Sequence, residues 1–418
     1  MPLAVVIRRV FLITLLFLPQ QFWLGSGWQL AGGLRRPSWR LIARAFLVIA
    51  PVAMVSVLCD RIFRKFLPAN LSLWIAPPVQ LWIFTSTFTY FFMKIAQVIV
   101  WSFRAAARLF RARKGSESYD SSRRSVLRQA ASLAACAPFA AAVYGFAWER
   151  LRFQVVRVDV PVAGLPDGLD GLRIVQLSDI HVGDFMPLDQ VRRAVDIANG
   201  LAPHLAVITG DYVTSAGDPL ADCISELSRL KAPMGVFGCN GNHEIYAGAE
   251  EMAEELFTLH GMKLLRQSAA QVRWSGENLN LIGIDYQRDV PISGSALPSL
   301  NRVEALVRRD MTNILLSHDP NTFSSAAAAG VQLSLAGHTH GGQVNVEILN
   351  KSWSPARFMT NFVAGLYQLP MAAPAGSSDT AATGPAYLYV NRGLGTLGVP
   401  ARIGANPEIT LITLKAGG

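Results

Sequence analysis

Ile174-Val175-Gln176-Leu177-Ser178-Asp179-Ile180-His181 is a short apolar run that ends in a carboxylate and an imidazole. A run of this length with β-branched residues reads as a buried strand, and polar groups at its carboxyl end stand where open α/β sheets present ligands. The pattern recurs along the chain. Leu205-Ala206-Val207-Ile208-Thr209 leads to Gly210-Asp211, and Val236-Phe237 leads to Gly241-Asn242-His243-Glu244. Asn313-Ile314-Leu315-Leu316 leads to Ser317-His318-Asp319, and Gln332-Leu333-Ser334-Leu335 leads to Gly337-His338-Thr339-His340-Gly341-Gly342-Gln343. Strands alternating with helical stretches give an α/β domain, and their shared polarity at one end implies a single site.

The residue types define the chemistry of that site. Asp, His and Asn offer oxygen and imidazole nitrogen without thiolate, a set suited to Mn²⁺, Fe, Zn²⁺ or Co²⁺. Asp179, His181, Asp211, Asn242, His318, His338 and His340 are seven candidate ligands, too many for one ion and enough for two if a carboxylate bridges them. Two ions about 3.5–4 Å apart stabilise the attacking and leaving oxygens of a displacement at phosphorus, and a water bridging them loses its proton near neutral pH. The remaining polar residues have plainer readings. His204 and His260 belong to no motif and read as hydrogen-bonded structural groups, while Asp184, Asp285 and Asp319 read as caps or loop anchors. Gly341 and Gly342 let the backbone turn so that the two histidines before them diverge. Cys59, Cys136, Cys223 and Cys239 form no CxxC pair, so neither a zinc knuckle nor a disulfide framework is indicated, and a Cys223–Cys239 bridge is the one pairing to test.

In order, D-x-H, G-D, G-N-H-E, a lone His and G-H-x-H resemble the signature of the calcineurin-like metallophosphoesterases, over about residues 170–415. The bacterial membrane-linked branch of that family is similar further on, in Tyr389-Val390-Asn391-Arg392-Gly393-Leu394-Gly395 and Pro407-Glu408-Ile409. The resemblance implies a four-layer α/β/β/α sandwich. It also implies that Asp179, His181 and His340 hold one metal, that Asn242, His318 and His338 complete the second, and that Asp211 bridges them. His243 matches the family's catalytic histidine, beside the scissile phosphate. Thr214 departs from the pattern, because many members carry Asp there to orient that histidine, and no Arg-Gly follows. Protein phosphatase activity is accordingly disfavoured, and Glu244 or Asp319 is left to support His243. Arg392 is expected either to contact the phosphate through its guanidinium fork or to serve the terminal loop structurally.

The N-terminal part has a different composition. Residues 1–150 carry 19 Lys and Arg against 4 Asp and Glu, leaving 19 against 25 in the remainder, so the net +9 is entirely N-terminal. A mildly acidic C-terminal part disfavours a phosphate-polymer grip along the domain, and no nucleic acid is expected. None of the seven histidines precedes His181. Four apolar stretches, about 10–32, 43–59, 71–103 and 130–147, are near the ~20 residues that cross a bilayer. The expected domains are a membrane region over 1–150 with about four transmembrane helices and a phosphoesterase domain over 151–418. Arg35, Arg36, Arg40, Arg44 and the basic residues between 104 and 128 place those loops in the cytoplasm, although Arg8 and Arg9 argue the other way. The enzyme domain then faces outward from a multi-pass protein of the bacterial cytoplasmic membrane. Ser122-Arg123-Arg124-Ser125-Val126-Leu127 resembles a twin-arginine export signal, with Val126 where Phe is commonest, which would make the export machinery a partner. A plain basic loop before a helix predicts the same topology. Lys94 is the one charge deep in a span, expected to snorkel or to face another helix.

Three functions compete. The first is a metal-dependent phosphodiesterase or phosphomonoesterase acting on a lipid-linked or envelope phosphoester. Its pyrophosphatase variant, of the UDP-diacylglucosamine type, would need the domain inside. The second is a non-catalytic metal-binding membrane sensor, which missing ligands would favour and none is missing. A transporter is the weakest, for want of intramembrane ionisable groups other than Lys94.

Overall fold

A computed structural model of the chain describes residues 3–58, 69–110, 137–286, 303–348, 351–358, 360–371 and 384–417. The chain divides into two compact units, Met1–Phe146 with Gly398–Pro400, and Ala147–Leu397 with Ala401–Gly418.

The first unit contains the long helices α1 (Leu3–Gly32), α2 (Pro37–Leu58) and α3 (Ala69–Phe110). Among the described residues, no helix is long and apolar enough to cross a membrane. The four expected spans therefore do not emerge from the structure. In α3 the apolar run is diluted by Thr85, Ser86, Thr87, Thr89, Lys94 and Gln97. Much of the stretch over 43–59 and the start of the one over 130–147, with the twin-arginine-like segment, lie outside the described residues or side chains. What is described is tied together by polar groups. Buried Gln20 donates from Nε2 to Ser86 Oγ at 2.8 Å, accepts from Trp82 Nε1 at 3.0 Å, and lies beside Trp23, whose Nε1 donates to Ser86 O at 2.9 Å. These bonds join α1 to α3 and satisfy groups that would be costly to bury alone. Lys94 takes the second of its two expected positions, with Nζ 5.5 Å from the ring centres of Phe22 on α1 and Tyr90 on its own helix.

The second unit is built on strands β1 (Gln154–Ala163), β2 (Arg173–Leu177), β3 (Leu205–Thr209), β4 (Val236–Cys239), β5 (Lys263–Leu264), β6 (Ser268–Trp274), β7 (Glu277–Ile284), β8 (Thr312–Ser317) and β9 (Leu333–Ala336). The pair β10 (Val346–Ile348) and β11 (Lys351–Trp353) forms a separate antiparallel ribbon, and β12 (Gly365–Pro370), β13 (Pro385–Val390) and β14 (Glu408–Gly417) follow. Two six-stranded sheets result, ordered β1-β14-β2-β3-β4-β5 and β12-β13-β9-β8-β7-β6. In each, the central strands run parallel: β2, β3, β4 and β5 in the first, and β7, β8, β9 and β13 in the second.

Period-two alternation explains the layering. Ile174, Leu205, Val207, Ile314, Leu316, Leu333 and Leu335 point into one core shared by both sheets. Val175, Leu177, Ala206 and Ile208 point the other way, onto α4 (Leu188–Gly200), α5 (Leu220–Leu227) and α7 (Glu250–Leu259). Val191, Ala194, Val195 and Ala198 are the buried stripe of α4, at the spacing of one helical face. On the second sheet, Leu315 and Ala336 face outward, toward Ala326, Ala327 and Phe323 of α8 (Phe323–Ala329). Gln176 occupies an inward position near the top of β2, where its Nε2 donates to Thr209 Oγ1 at 3.0 Å and across the seam to Ala336 O at 2.9 Å. This buried tie sits where the apolar inter-sheet core gives way to polar strand ends. The five ligand-bearing strands thus belong to two sheets, not one series: β2, β3 and β4 to the first, β8 and β9 to the second.

Candidate active site

The residues after those strands are held in unusual backbone conformations. Among the described residues, nine other than glycine have positive φ, and five of them are Asp179 (48°), His181 (49°), Asp211 (57°), His338 (72°) and His340 (52°). A left-handed φ in a residue with a Cβ costs on the order of 1–3 kcal/mol and persists where surrounding contacts enforce it. The enforcement is visible here. Asp179 N donates to Gly210 O at 3.0 Å and His181 N to Asp211 O at 3.0 Å, locking the loop after β2 to the loop after β3. Gly210 approaches Gly241 so closely that an added Cβ would lie 2.5 Å from its nitrogen. These turns aim consecutive side chains into one space.

Three overlapping groups of donors result: Asp179, His181 and His340; His181, Asp211 and His243; and Asp211, His318 and His338, the ligand atoms of each lying within 4.8 Å of one another. Asp211 Oδ2 is 3.4 Å from His181 Nε2 and 3.1 Å from His318 Nε2, and Asp179 Oδ1 is 3.4 Å from His340 Nε2. Asn242 Oδ1 accepts from His338 Nδ1 at 2.8 Å. All seven expected ligands, and His243, are therefore assembled at one place.

The donor set fits divalent ions. His318 donates Nδ1–H to Thr209 O at 2.6 Å, which turns Nε2 inward, and that buried nitrogen has no hydrogen-bond partner even with Asp211 nearby. A carbonyl holding the far side of an imidazole is the usual support of a metal-ligating histidine. The Nε2 atoms of His181 and His340 face each other at 3.2 Å, an approach of two nitrogens that needs a shared hydrogen or a metal ion between them. Without metal a proton takes that place. Burial disfavours charge on His181, but Asp211 and Asp179 outweigh it and raise its pKa, whereas burial and the neighbouring His181 and Arg402 hold His340 well below its ordinary value. For His318, the Asp211 and Asp179 carboxylates overcome burial and raise the pKa to about 10. Asp211 is held well below the usual carboxylate range by His318 and His181, against the effect of burial.

His243 is supported differently from both expectations. Its Nδ1–H donates to the backbone carbonyl of Thr214 at 2.6 Å, leaving Nε2 as the ring nitrogen available to the site, and its backbone N–H donates to Asp211 Oδ1 at 2.9 Å. Glu244 does not reach the ring. Its buried carboxylate instead accepts from the backbone N–H groups of Asp211 (2.9 Å), Tyr212 (2.7 Å), Val213 (3.3 Å) and Gly241 (2.8 Å), binding the loops after β3 and β4 into one piece. Asp319 caps a short helical turn, accepting from Asn321 N at 2.9 Å. Thr214 serves twice, since its Oγ1 is 3.1 Å from His181 Nδ1. Burial lowers the pKa of His243, with Asp211 opposing.

Arg392 is engaged by protein groups. Its Nε pairs with the Glu408 carboxylate, and Nη2 donates to Gln154 Oε1 at 2.9 Å. The sequence reading missed Arg402, which is fully buried and donates to the carbonyls of Gly395 (2.5 Å), Ala405 (2.9 Å), Arg392 (2.9 Å) and Gly393 (3.0 Å). It fixes the segment in which Gly393 lies against Asp179 and Gly395 against His181, contacts that a Cβ at either position would close to under 3 Å. The only signal was a lone arginine in the apolar run Gly398-Val399-Pro400-Ala401 before Pro407-Glu408, and nothing in that pattern marks burial. Elsewhere, His204 accepts from Arg173 N at 3.2 Å and stacks on Trp274, His260 caps α7, and Asp285 anchors Arg266 and Asn240. Cys223 and Cys239 are both buried free thiols, so the bridge between them does not form.

A family model described as calcineurin-like phosphoesterase matches residues 172–342, which include every expected ligand and His243. A Danio rerio protein named "Transmembrane protein with metallophosphoesterase domain" is 33% identical over 285 residues, covering 66% of this chain and 60% of its own length. The Bos taurus protein of the same name is 30% identical over 317 residues, covering 73% and 67%. "Uncharacterized metallophosphoesterase YkuE" of Bacillus subtilis (strain 168) is 29% identical over 290 residues, covering 68% and 94%. The match spans less than two thirds of the fish relative's length. With the ordered motifs, the two-sheet fold and the three donor groups, the chain belongs to the calcineurin-like phosphoesterases, a family of metal-dependent hydrolases, in the branch that includes YkuE.

Proposed function

We propose that this protein is a membrane-associated, metal-dependent phosphoesterase that works with two divalent ions, Asp211 being the ligand common to both. The observation that carries the reading is that the Asp211 carboxylate belongs to two of the three donor groups, one centred on His181 and one on His318 and His338. Asp179, His181 and His340 would hold one ion, and Asn242, His318 and His338 the other. When bound, such ions supply Lewis-acid charge and an activated water for attack at phosphorus. The protein's own contribution is position. With its Nδ1 fixed on the Thr214 carbonyl, His243 keeps Nε2 beside the donor groups, where it would hydrogen-bond a phosphoryl or leaving-group oxygen. Backbone N–H groups and Ser178 Oγ, 2.6 Å from Asp179 Oδ2, spend the spare lone pairs of the carboxylates and keep them aimed. Glu408 keeps Arg392 in a structural pair, and no phosphate role is assigned to it.

Membrane association is supported by the basic, apolar first 150 residues and by the fish and bovine relatives, which are named transmembrane proteins. It makes a lipid-linked or envelope phosphoester the substrate class, with the second unit on the outer face of a bacterial cytoplasmic membrane. The test is hydrolysis of bis(p-nitrophenyl) phosphate and p-nitrophenyl phosphate by the chelator-stripped full chain after return of Mn²⁺, Fe²⁺, Zn²⁺ or Co²⁺. Metal-restored turnover that is absent in Asp211→Asn is the expected result. Turnover that survives chelation, or that Asp211→Asn retains, would overturn the assignment.

A further inference from the structure

Two tyrosines border the donor groups without belonging to them. In the short helix α6 (Asn242–Ala247), Asn242, His243 and Tyr246 lie three and four residues apart on one face, while Glu244 and Ile245 are buried on the others. Tyr246 is 62% exposed, and its ring centre is 5.5 Å from that of His243 at an interplanar angle of 68°. Tyr286 follows the carboxyl end of β7 on the opposite sheet. Its half-buried ring lies 5.5 Å from His338 and 6.4 Å from His318. The two phenols thus flank the site from opposite sheets, one beside the histidine that would face the leaving group and the other beside the ligands of the second donor group.

An exposed tyrosine contributes little to a core, and at the edge of a polar site its large ring offers a face that a ligand can cover. Tyrosine rings offer a flat, electron-rich face that stacks on other rings, and hydroxyls that keep the rim wetted. We propose that Tyr246 and Tyr286 form the leaving-group subsite, and that it selects phosphoesters whose leaving group carries a ring over those with an open alkyl chain. The inference rests on the phosphoesterase reading and narrows it, favouring a ring-bearing lipid-linked or envelope substrate over an open-chain phospholipid headgroup.

The test uses two non-hydrolysable probes of similar apolar size, phenylphosphonate and butylphosphonate, titrated calorimetrically into the Mn²⁺-loaded full chain. Phenylphosphonate is expected to bind about fivefold more tightly, the order of one aromatic contact. Tyr246→Phe keeps the flat face and should keep the preference, whereas Tyr246→Leu keeps apolar area alone and should erase it. Equal affinities in the wild type, a preference that survives Tyr246→Leu, or failure of both probes to bind would overturn the subsite. A ring preference in a protein that hydrolyses no phosphoester would support the subsite and count against the catalytic reading instead.

Discussion

The two sheets bring unequal chemistry to their shared edge. Strands β2, β3 and β4 deliver both carboxylates, Asp179 and Asp211, together with His181, Asn242 and His243, while β8 and β9 deliver only imidazoles, His318, His338 and His340. Negative charge on one side therefore holds positive charge on the other. The raised pKa of His318 and the depressed pKa of Asp211 are two views of that single contact. The inequality teaches that the halves are not interchangeable. Removing a carboxylate unbalances imidazoles of both sheets, whereas removing His318 or His338 leaves Asp179, His181 and His340 in place.

The largest expected effect comes from Asp211→Asn, which should lower turnover at least a thousandfold and strip metal from both positions, as read by elemental analysis and by p-nitrophenyl ester hydrolysis. His243→Ala should reduce turnover by about 10²–10⁴, the ordinary contribution of a positioned acid–base group, while metal content stays at the wild-type level. His318→Ala sharpens the comparison between sheets, since it should lose about half of the metal. Full loss would mean that the two groups fill only together.

Thr214→Val removes the hydroxyl beside His181 Nδ1 and keeps the carbonyl that holds His243. Metal affinity at the His181 position should weaken about 10–100-fold, as for other supports of ligating histidines, with kcat recovering at saturating metal. Gln176→Leu breaks the buried bond between the sheets and leaves Ala336 O and Thr209 Oγ1 short of a donor, a loss of about 1–3 kcal/mol. Thermal unfolding should then begin several degrees lower, with metal chemistry intact once the protein is folded.

The smallest expected effect is on pH dependence. In metal-free protein the His318 pKa is raised to about 10, above its ordinary value near 6.5, so its contact with Asp211 stabilises the fold fully below about 6.5 and is lost as pH rises through about 10. The gap in melting temperature between chelated wild type and chelated His318→Asn should narrow from pH 7 to pH 10. At pH 8 metal uptake should release a proton, because ligation needs the neutral imidazole.

Much of the site was legible in the sequence, and for a physical reason. Ligands placed at strand ends leave a sharp boundary between apolar runs and Asp, His and Asn, so Asp179, His181, Asp211, Asn242, His318, His338 and His340 stand out in one dimension. That boundary does not record which strands share a sheet, and alternation alone cannot assign Ile174 and Ile314 to one core. The supports of the ligands were not legible either. His243 is held by a backbone carbonyl, which every residue possesses, and the side chain at position 214 says nothing about it. Glu244 adjoins His243 in sequence but points away along the helix, into backbone amides. Arg402 resembles any surface arginine until the carbonyls of Arg392, Gly393, Gly395 and Ala405 close around it. In the first unit, hydropathy alone suggested spans, while Gln20, Ser86 and Trp82 form a polar tie that a hydropathy reading does not anticipate.

The central claim is that one carboxylate, Asp211, would serve two ions, each held by residues of both sheets. Elemental analysis of the full chain after saturation with Mn²⁺ and removal of excess, on wild type, Asp211→Asn and His243→Ala in parallel, tests it most directly. The account predicts two ions per chain in the wild type and in His243→Ala, and less than one in Asp211→Asn. One ion in the wild type, or equal loss in the two variants, would contradict it.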